Sequence, residues 1–166
     1  MKLFPTFYIH RIFDIDLDQL ASQGISLLIL DVDNTLTTHN NPNLEKPVRD
    51  WLDKAQEKGF ERVILSNNGE ERVAPFAQKL GLEYVSHAKK PLKGGFLRVF
   101  ARFGVQPCQT AVIGDQLFTD ILGGNRAGAC TFLTRPIEPE PMLFFKIKRA
   151  LERLVLHFDK RRKPTW

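Results

Sequence analysis

The strongest constraint on the fold is an apolar run that ends abruptly in two carboxylates. Residues 27–30 are Leu-Leu-Ile-Leu, and Asp31 and Asp33 follow them directly. An apolar run of this length predicts a parallel strand buried on both faces. Side chains two residues apart on a strand point the same way, so the two carboxylates should lie close together. An acidic turn is the alternative for this motif alone; a cation such as Mg²⁺, which prefers oxygen ligands, would compensate for the charge.

Further polar groups follow in order along the chain. Ser66 and Asn67 come directly after a second apolar run, where a hydroxyl, amides and a glycine can cradle an anion at the start of a helix. Lys90 precedes a proline. Asp115 ends a third apolar run, and Asp120 falls on the first turn of the next predicted helix. Each segment alone is also typical of a turn, a cap or a surface charge, but their order at strand ends indicates one site.

In this order the segments resemble the haloacid dehalogenase superfamily of phosphotransferases, subclass IIIA. The resemblance implies that Asp31 is a nucleophile, which forms an aspartyl-phosphate, and that Asp33 is the general acid and base. It implies that Ser66, Asn67 and Lys90 bind phosphate. It also implies a Mg²⁺ site whose ligands are drawn from four aspartates: Asp31, Asp33, Asp115 and Asp120.

The chemistry of phosphoryl transfer agrees with these roles. The reaction needs in-line positioning and neutralised charge more than covalent assistance. Lys90 would supply a positive point charge, with Lys89 and Lys93 as nearby alternatives. Asp31 can attack without activation by a base, and Asp33 could protonate the leaving alkoxide and then deprotonate water. An aspartate at the second position favours a hydrolase over an aspartyl-phosphate pump.

The rest of the chain alternates predicted strands and helices. We expect strands at 26–31, 61–66, 82–86, 110–114 and 129–133. We expect helices at 14–23, 45–58, 70–80, 92–103, 118–127 and 142–160. This alternation predicts an α/β fold, a three-layer sandwich with a central, mostly parallel five-stranded sheet, which the resemblance identifies as the Rossmann-like fold of the superfamily. Pro75 falls inside the third helix and should delay its start or bend it.

The intervals between the motifs leave no room for a cap domain. Members of the superfamily carry such a domain after the first motif or between the second and the third. Here 30 residues (36–65) and 23 residues (67–89) fill those intervals, enough for a helix and a strand each. We therefore expect an open active site, which either another copy in a homo-oligomer covers or a large substrate uses.

The positive charge of the chain is concentrated at its C-terminal end. Residues 142–166 carry eight basic and two acidic residues, a net charge of +6, whereas the whole chain carries +5. We expect residues 1–141 to form the phosphatase domain. Residues 142–166 should form a basic amphipathic helix, either packed on that domain as part of it or lying on anionic lipid. A nucleic-acid-binding patch is a weaker alternative, because no recognised binding module accompanies it.

Within the superfamily, the closer resemblance is to the YqeG-type branch, the capless phosphatidylglycerophosphate phosphatases. Residues 31–36, 65–68, 89–91 and especially 114–125 carry it. The branch implies hydrolysis of phosphatidylglycerophosphate to phosphatidylglycerol. Three alternatives are a phosphatase of soluble sugar or nucleotide phosphates, a non-enzymatic receiver-like switch and a nucleic-acid-binding protein. The sequence shows no signal-peptide pattern and no membrane-spanning run, so we expect a cytoplasmic protein with peripheral contact to anionic membrane.

Overall fold

Strands and helices alternate in the computed structural model, which describes residues 3–139 and 143–159. Within those residues the strands are β1 (Phe7–Ile9), β2 (Leu27–Leu30), β3 (Glu61–Leu65), β4 (Glu83–Val85), β5 (Thr110–Gly114) and β6 (Cys130–Thr134). The α-helices are α1 (Leu17–Ser22), α2 (Lys46–Glu57), α3 (Glu70–Leu80), α4 (Gly94–Phe103), α5 (Leu122–Ala127) and α6 (Leu143–His157). A five-residue π-helical turn, Leu117–Ile121, leads directly into α5.

The sheet is parallel throughout and has the strand order β1-β6-β5-β2-β3-β4. Strand β2 lies between β5 and β3, and Leu30 pairs with Ile113 on one side and with Ile64 on the other. This register brings the carboxyl ends of the three strands to the same height. Asp31, Ser66 and Asp115 follow these strand ends, so all three lie along one edge of the sheet, the usual ligand crevice of open α/β sheets.

Helices cover both faces of the sheet. Alternate residues of β2 belong to different cores: Leu28 and Leu30 pack with residues of α1, α2 and α3, whereas Leu27 and Ile29 pack with residues of α4 and α5. Both sets are almost completely buried, which is why β2 is apolar at every position instead of alternating. The predicted three-layer α/β sandwich is confirmed.

The sheet has six strands in the described residues, so the prediction of five is wrong. The additional strand is β1, which pairs with β6 at the edge of the sheet, and Phe7 stacks on Phe132 with ring centroids 4.9 Å apart. Three residues, two half-buried and one buried, are too few to show a period-two pattern, so no sequence pattern indicates this strand. Of the two effects predicted for Pro75, the delayed start is also wrong, because α3 begins at Glu70 and continues through Pro75, and the bend stays a prediction.

No additional domain interrupts the sheet in the described part of the chain. One helix, α2, connects β2 to β3, and one helix, α3, connects β3 to β4. The predicted absence of a cap therefore agrees with the architecture. Within residues 3–139 and 143–159, none of the helices combines the length and the hydrophobicity that crossing a bilayer requires.

Helix α6 lies beside the carboxyl edge of the sheet. Its residues Val155 and Leu156 pack against a small apolar cluster that includes Leu117 and Leu133. Just beyond the helix, Asp159 accepts a hydrogen bond of 2.7 Å from the hydroxyl of Tyr8. The division into a domain at 1–141 and a C-terminal segment at 142–166 stays a prediction; residues 140–142 and 160–166 lie outside the described part.

Candidate active site

Three aspartates converge at the carboxyl edge of the sheet. Carboxylate oxygens of Asp31, Asp115 and Asp120 all lie within 4.8 Å of one another. Asp31 and Asp115 follow neighbouring strands, and Asp120 projects from the π-helical turn back towards Gly114. A Cβ atom at Gly114 would stand 2.4 Å from the carboxylate carbon of Asp120, so only glycine permits this approach. This close approach explains why a glycine precedes Asp115.

Lys90 supplies the positive charge at the centre of the cluster. Its ammonium group donates hydrogen bonds to Asp31 at 2.7 Å and to Asp120 at 2.6 Å. A third bond, of 2.7 Å, goes to the backbone carbonyl of Leu65 at the end of β3. The Lys90 side chain is only 4% exposed. Lys89 and Lys93 are both exposed, so of the three lysines considered from the sequence it is Lys90 that enters the site.

Burial dominates the protonation of these groups. It raises the pKa of Asp31 to about 6, although the charge of Lys90 opposes the shift. Burial also raises the pKa of Asp115 well above its usual range. Burial disfavours the charge on Lys90, but Asp120 and Asp31 together outweigh it and raise the lysine pKa. The raised pKa of Lys90 favours its charged form, whereas the raised pKa values of Asp31 and Asp115 disfavour theirs, so additional positive charge nearby would favour ionisation of these two carboxyl groups.

The segment after β3 holds Lys90 in place. The side-chain amide of Asn67 donates to the carbonyl oxygen of Lys90 at 3.0 Å, and the Lys90 backbone N–H donates to the Asn67 side-chain oxygen at 2.7 Å. The buried Ser66 hydroxyl oxygen accepts a hydrogen bond of 3.2 Å from the backbone N–H of Asn68. Of the three predicted phosphate-binding residues, Asn67 thus holds the backbone of Lys90, and Ser66 lies directly before Asn67 at the end of β3. Their contact with phosphate stays a prediction.

Asp33 lies near the cluster but engages other partners. Its carboxylate forms an ion pair of 2.8 Å with Arg72 and accepts a hydrogen bond from the side-chain amide of Asn68. It is not one of the three carboxylates that meet within 4.8 Å. Its predicted roles as a metal ligand and as the general acid and base both stay predictions. Arg72 also donates to the carbonyl of Asn41 at 3.3 Å, which ties the loop after Asp33 to α3.

Arg149 reaches the site from α6. Its guanidinium forms an ion pair with the carboxylate of Asp115 and donates to the Asp115 carbonyl oxygen at 2.6 Å. Glu152, one turn along the helix, pairs with the same guanidinium at 2.9 Å. From the sequence, Arg149 belongs with the solvent-facing basic residues of the C-terminal helix, and no local pattern sets it apart.

Arg72 and Asn68 had a signal in the sequence that our predictions did not use. Both lie at or just before the first turn of α3, the helix that follows the carboxyl end of β3. The first turn of a helix that starts at this edge borders the ligand crevice. Polar side chains there are candidate site residues as soon as the strand end is identified.

The arrangement sets a group of carboxylates against a smaller group of cations. Four carboxylates (Asp31, Asp33, Asp115 and Asp120) stand against three cations (Lys90, Arg72 and Arg149). Glu152, which also pairs with Arg149, adds a fifth carboxylate, so two formal negative charges are left over among these described groups. Oxygen atoms dominate the centre of the cluster. A hard divalent cation fits this donor set.

Comparison with known proteins identifies the family of the chain. Residues 43–128 match the model of the haloacid dehalogenase-like hydrolase family. The chain is 34% identical over 158 residues to the probable phosphatase YqeG of Bacillus subtilis, a match that covers 95% of this chain and 92% of that protein.

Two further relatives are longer than this chain. The chain is 27% identical to the phosphatidylglycerophosphate phosphatase 1, chloroplastic/mitochondrial, of Arabidopsis thaliana, over 81% of this chain and 42% of that protein. It is 31% identical to a probable phosphoglycolate phosphatase of Pseudomonas putida, over 81% of this chain and 59% of that protein. The chain thus spans less than two thirds of either relative.

Among solved structures, an uncharacterized protein from Listeria monocytogenes has the same fold. It superposes with a TM-score of 0.56 at 20% identity and covers 80% of this chain and 99% of its own. The resemblance inferred from the motifs is confirmed, and the prediction of an enzyme agrees with the phosphatases among the relatives. A family model that matches half of the chain, together with a relative at 34% identity over nearly all of it, establishes that this chain belongs to the haloacid dehalogenase-like hydrolase family.

Proposed function

We propose that this chain is a Mg²⁺-dependent phosphomonoester hydrolase that acts through an aspartyl-phosphate on Asp31 and converts phosphatidylglycerophosphate to phosphatidylglycerol. The observation that carries the chemical part is the contact between Asp31 and Lys90, with Asp115 and Asp120 alongside. A nucleophilic carboxylate, a buried ammonium group and a set of oxygen donors are what phosphoryl transfer needs in one place.

In the proposed reaction, Asp31 attacks the phosphorus atom and Asp33 gives a proton to the leaving alkoxide. Asp33 then takes a proton from the water that hydrolyses the aspartyl-phosphate. The ammonium group of Lys90 stabilises the negative charge on the phosphoryl oxygens. Ser66 and the backbone N–H groups before α3 provide hydrogen-bond donors. Arg72, 2.8 Å from Asp33, orients the acid–base carboxylate.

The residues that would hold Mg²⁺ are Asp31, Asp115 and Asp120, with Asp33 as the further predicted ligand. The fit rests on three carboxylates that meet in one place, two of them buried and Asp31 half-buried, and on the pKa values of Asp31 and Asp115, which burial raises. A bound Mg²⁺ ion would neutralise repulsion between the carboxylate nucleophile and the anionic substrate.

The choice of substrate rests on relatives. YqeG of Bacillus subtilis is named a probable phosphatase, and the Arabidopsis relative is named for phosphatidylglycerophosphate. The competing candidate is a soluble phosphate monoester, which the relative named as a probable phosphoglycolate phosphatase favours. An open site suits a phosphate displayed at a bilayer surface, because no cap has to close over it.

We predict that phosphate release from a panel of monoesters will single out the lipid. The panel is phosphatidylglycerophosphate in mixed micelles, phosphoglycolate, a sugar phosphate and a nucleoside monophosphate, each with Mg²⁺. The lipid should give the highest kcat/KM, because binding of its remote, non-reacting groups helps to stabilise the transition state at the phosphate. A higher kcat/KM for a soluble monoester would refute the lipid assignment and leave the phosphatase assignment standing.

The outward face of α6 supports contact with membrane. Five apolar side chains on this face are 51% to 72% exposed; we call them the outer stripe, and they are Leu143, Ile147, Leu151, Leu154 and Phe158. An exposed apolar stripe of this size, beside basic residues, is typical of helices that lie in the interface of anionic bilayers. We propose that the protein is cytoplasmic and meets the membrane through this stripe.

Replacing one leucine of the outer stripe should weaken membrane binding selectively. Leu154→Ser should lower partition onto phosphatidylglycerol-containing vesicles roughly tenfold, because burying one leucine side chain contributes about 1.5–3 kcal/mol. Leu97→Ser on α4 is the matched control, since Leu97 is exposed to a similar degree (52% against 58%) but lies outside the stripe. Cosedimentation measures both. Equal binding by the two variants would exclude the stripe as the membrane contact.

A further inference from the structure

A groove of about 750 Å³ opens beside the catalytic carboxylates. It lies between α6 and the carboxyl ends of β1 and β6, and Asp115 is among its lining residues, so the groove borders the site. Part of its wall is apolar and consists of Ile9, Leu133, Ile137 and Leu156. None of the residues assigned to the chemistry above needs this space, which therefore is available to the part of a substrate that does not react.

The groove carries positive charge that the protein does not neutralise. Arg135, Lys146 and Arg153 line it, and among the described residues none of the three forms an ion pair. All three are exposed. The acidic residues of the groove have partners other than these three cations.

Glu152 pairs with Arg149, and the carboxylate of Glu138 accepts a hydrogen bond of 3.0 Å from the backbone N–H of His39. Asp115 also pairs with Arg149. An anion that binds Arg135, Lys146 or Arg153 in the groove would therefore not have to displace a carboxylate of the described residues.

Two of these cations stand at the border between the groove and the outer stripe. At 100° per residue, Lys146 and Arg153 fall on α6 between Arg149, which faces the catalytic cluster, and Leu154, which belongs to the outer stripe. A molecule whose apolar part lies against the stripe or the groove wall would bring its polar part past Lys146 and Arg153 before its end reaches Asp31.

We propose that this groove is a subsite for a second anionic group, a phosphodiester, in an amphiphilic phosphate monoester, and that Lys146 and Arg153 bind that group. The inference rests on the proposed phosphomonoesterase activity and deepens it. The catalytic cluster recognises only the terminal phosphate, which all monoesters share. Charge complementarity in the groove then distinguishes a substrate with a second phosphate from one without it, and the apolar wall takes the adjoining glycerol and acyl carbons.

The test compares three substrates in the wild type and in Lys146→Gln/Arg153→Gln. They are short-chain phosphatidylglycerophosphate, its deacylated headgroup with both phosphates, and glycerol 3-phosphate, which has the monoester alone. Loss of two charged contacts should raise KM for the two diphosphorylated substrates roughly tenfold or more. KM for glycerol 3-phosphate should stay within about twofold of the wild type, since surface substitutions away from the reacting groups have small effects.

A second double variant, Lys54→Gln/Arg126→Gln, is the matched control. It removes the same two residue types from exposed positions on α2 and α5, outside the groove. This control should leave KM for all three substrates unchanged, which separates local binding from a loss of overall positive charge. An equal rise in KM for all three substrates, or no rise for any, in Lys146→Gln/Arg153→Gln would overturn the subsite.

Calorimetry keeps the subsite testable apart from activity. Binding of the deacylated headgroup should be roughly tenfold weaker in Lys146→Gln/Arg153→Gln than in the wild type. If the wild type hydrolyses none of the three substrates, the proposed function fails, and the calorimetric comparison still decides the subsite. If it hydrolyses glycerol 3-phosphate but both proteins bind the headgroup equally, only the subsite fails.

Discussion

Replacing Asp31 with asparagine should lower kcat by roughly 10⁴–10⁶-fold, the range in which loss of a nucleophile falls. The amide has nearly the shape of the carboxylate but cannot form the acyl-phosphate bond. The carboxylate of Asp31 accepts a hydrogen bond of 2.7 Å from the Lys90 ammonium group. Phosphate release with a saturating monoester and Mg²⁺ measures the effect, and the melting temperature shows whether the variant is folded.

Asp33→Asn separates the nucleophile from the acid–base group. This variant should lower kcat by roughly 10²–10⁴-fold, the usual contribution of general acid–base catalysis. After a pulse of ³²P-labelled substrate, Asp33→Asn should retain label as an acid-stable, hydroxylamine-sensitive phosphoenzyme, and Asp31→Asn should retain none. Asp53→Asn, which removes an exposed carboxylate of α2, should behave as the wild type. Wild-type turnover by Asp31→Asn would rule out the covalent mechanism.

The centre of the site could be predicted from the sequence because strand register, and little else, determines it. An apolar run specifies a buried strand, parallel strands end at one edge, and a carboxylate directly after such a run must stand at that edge. Asp31 and Asp115 follow neighbouring strands at the same height for this reason. The prediction for Asp120 was based on helical spacing instead. In the structure, Asp120 reaches the cluster from a π-helical turn that the sequence did not indicate.

The contacts made by arginines could not be predicted in the same way. Arg149 is 34 residues from Asp115 along the chain, and their ion pair depends on where α6 lies. The direction of the apolar face of α6 was equally open. Helical periodicity identifies a stripe but not the side on which the protein packs. In the structure, α6 contacts the body through Glu152, Val155 and Leu156, and the outer stripe faces away.

The edge strand β1 shows a different limit. A strand of three residues contributes too few side chains for a periodic signal, and its pairing with β6 is a contact between residues 125 positions apart in sequence, as for Phe7 and Phe132. Such a strand is determined by the unpaired backbone groups along β6, with which it forms hydrogen bonds, and not by a pattern in its own sequence.

Removing divalent cations should abolish turnover, and adding Mg²⁺ should restore it. The reason is the excess of carboxylate at the site: Asp31, Asp115 and Asp120 meet within 4.8 Å, and burial raises the pKa of both Asp31 and Asp115. A substrate phosphate would add further negative charge to this cluster. Phosphate release should fall to background after dialysis against EDTA and return with millimolar Mg²⁺, whereas full activity in metal-free buffer would contradict the assignment.

Thermal unfolding gives an answer that does not depend on turnover. Mg²⁺ at 100 times its Kd should stabilise the folded chain by about 2.7 kcal/mol, which corresponds to a rise in Tm of about 5–10 °C at this chain length. Asp115→Asn removes one donor from the cluster and should lose most of this rise, while Asp53→Asn, on the surface of α2, should keep it. If Asp115→Asn shows the wild-type response to Mg²⁺, the cation binds elsewhere, and the three converging aspartates must then be held together by Lys90 and Arg149 alone.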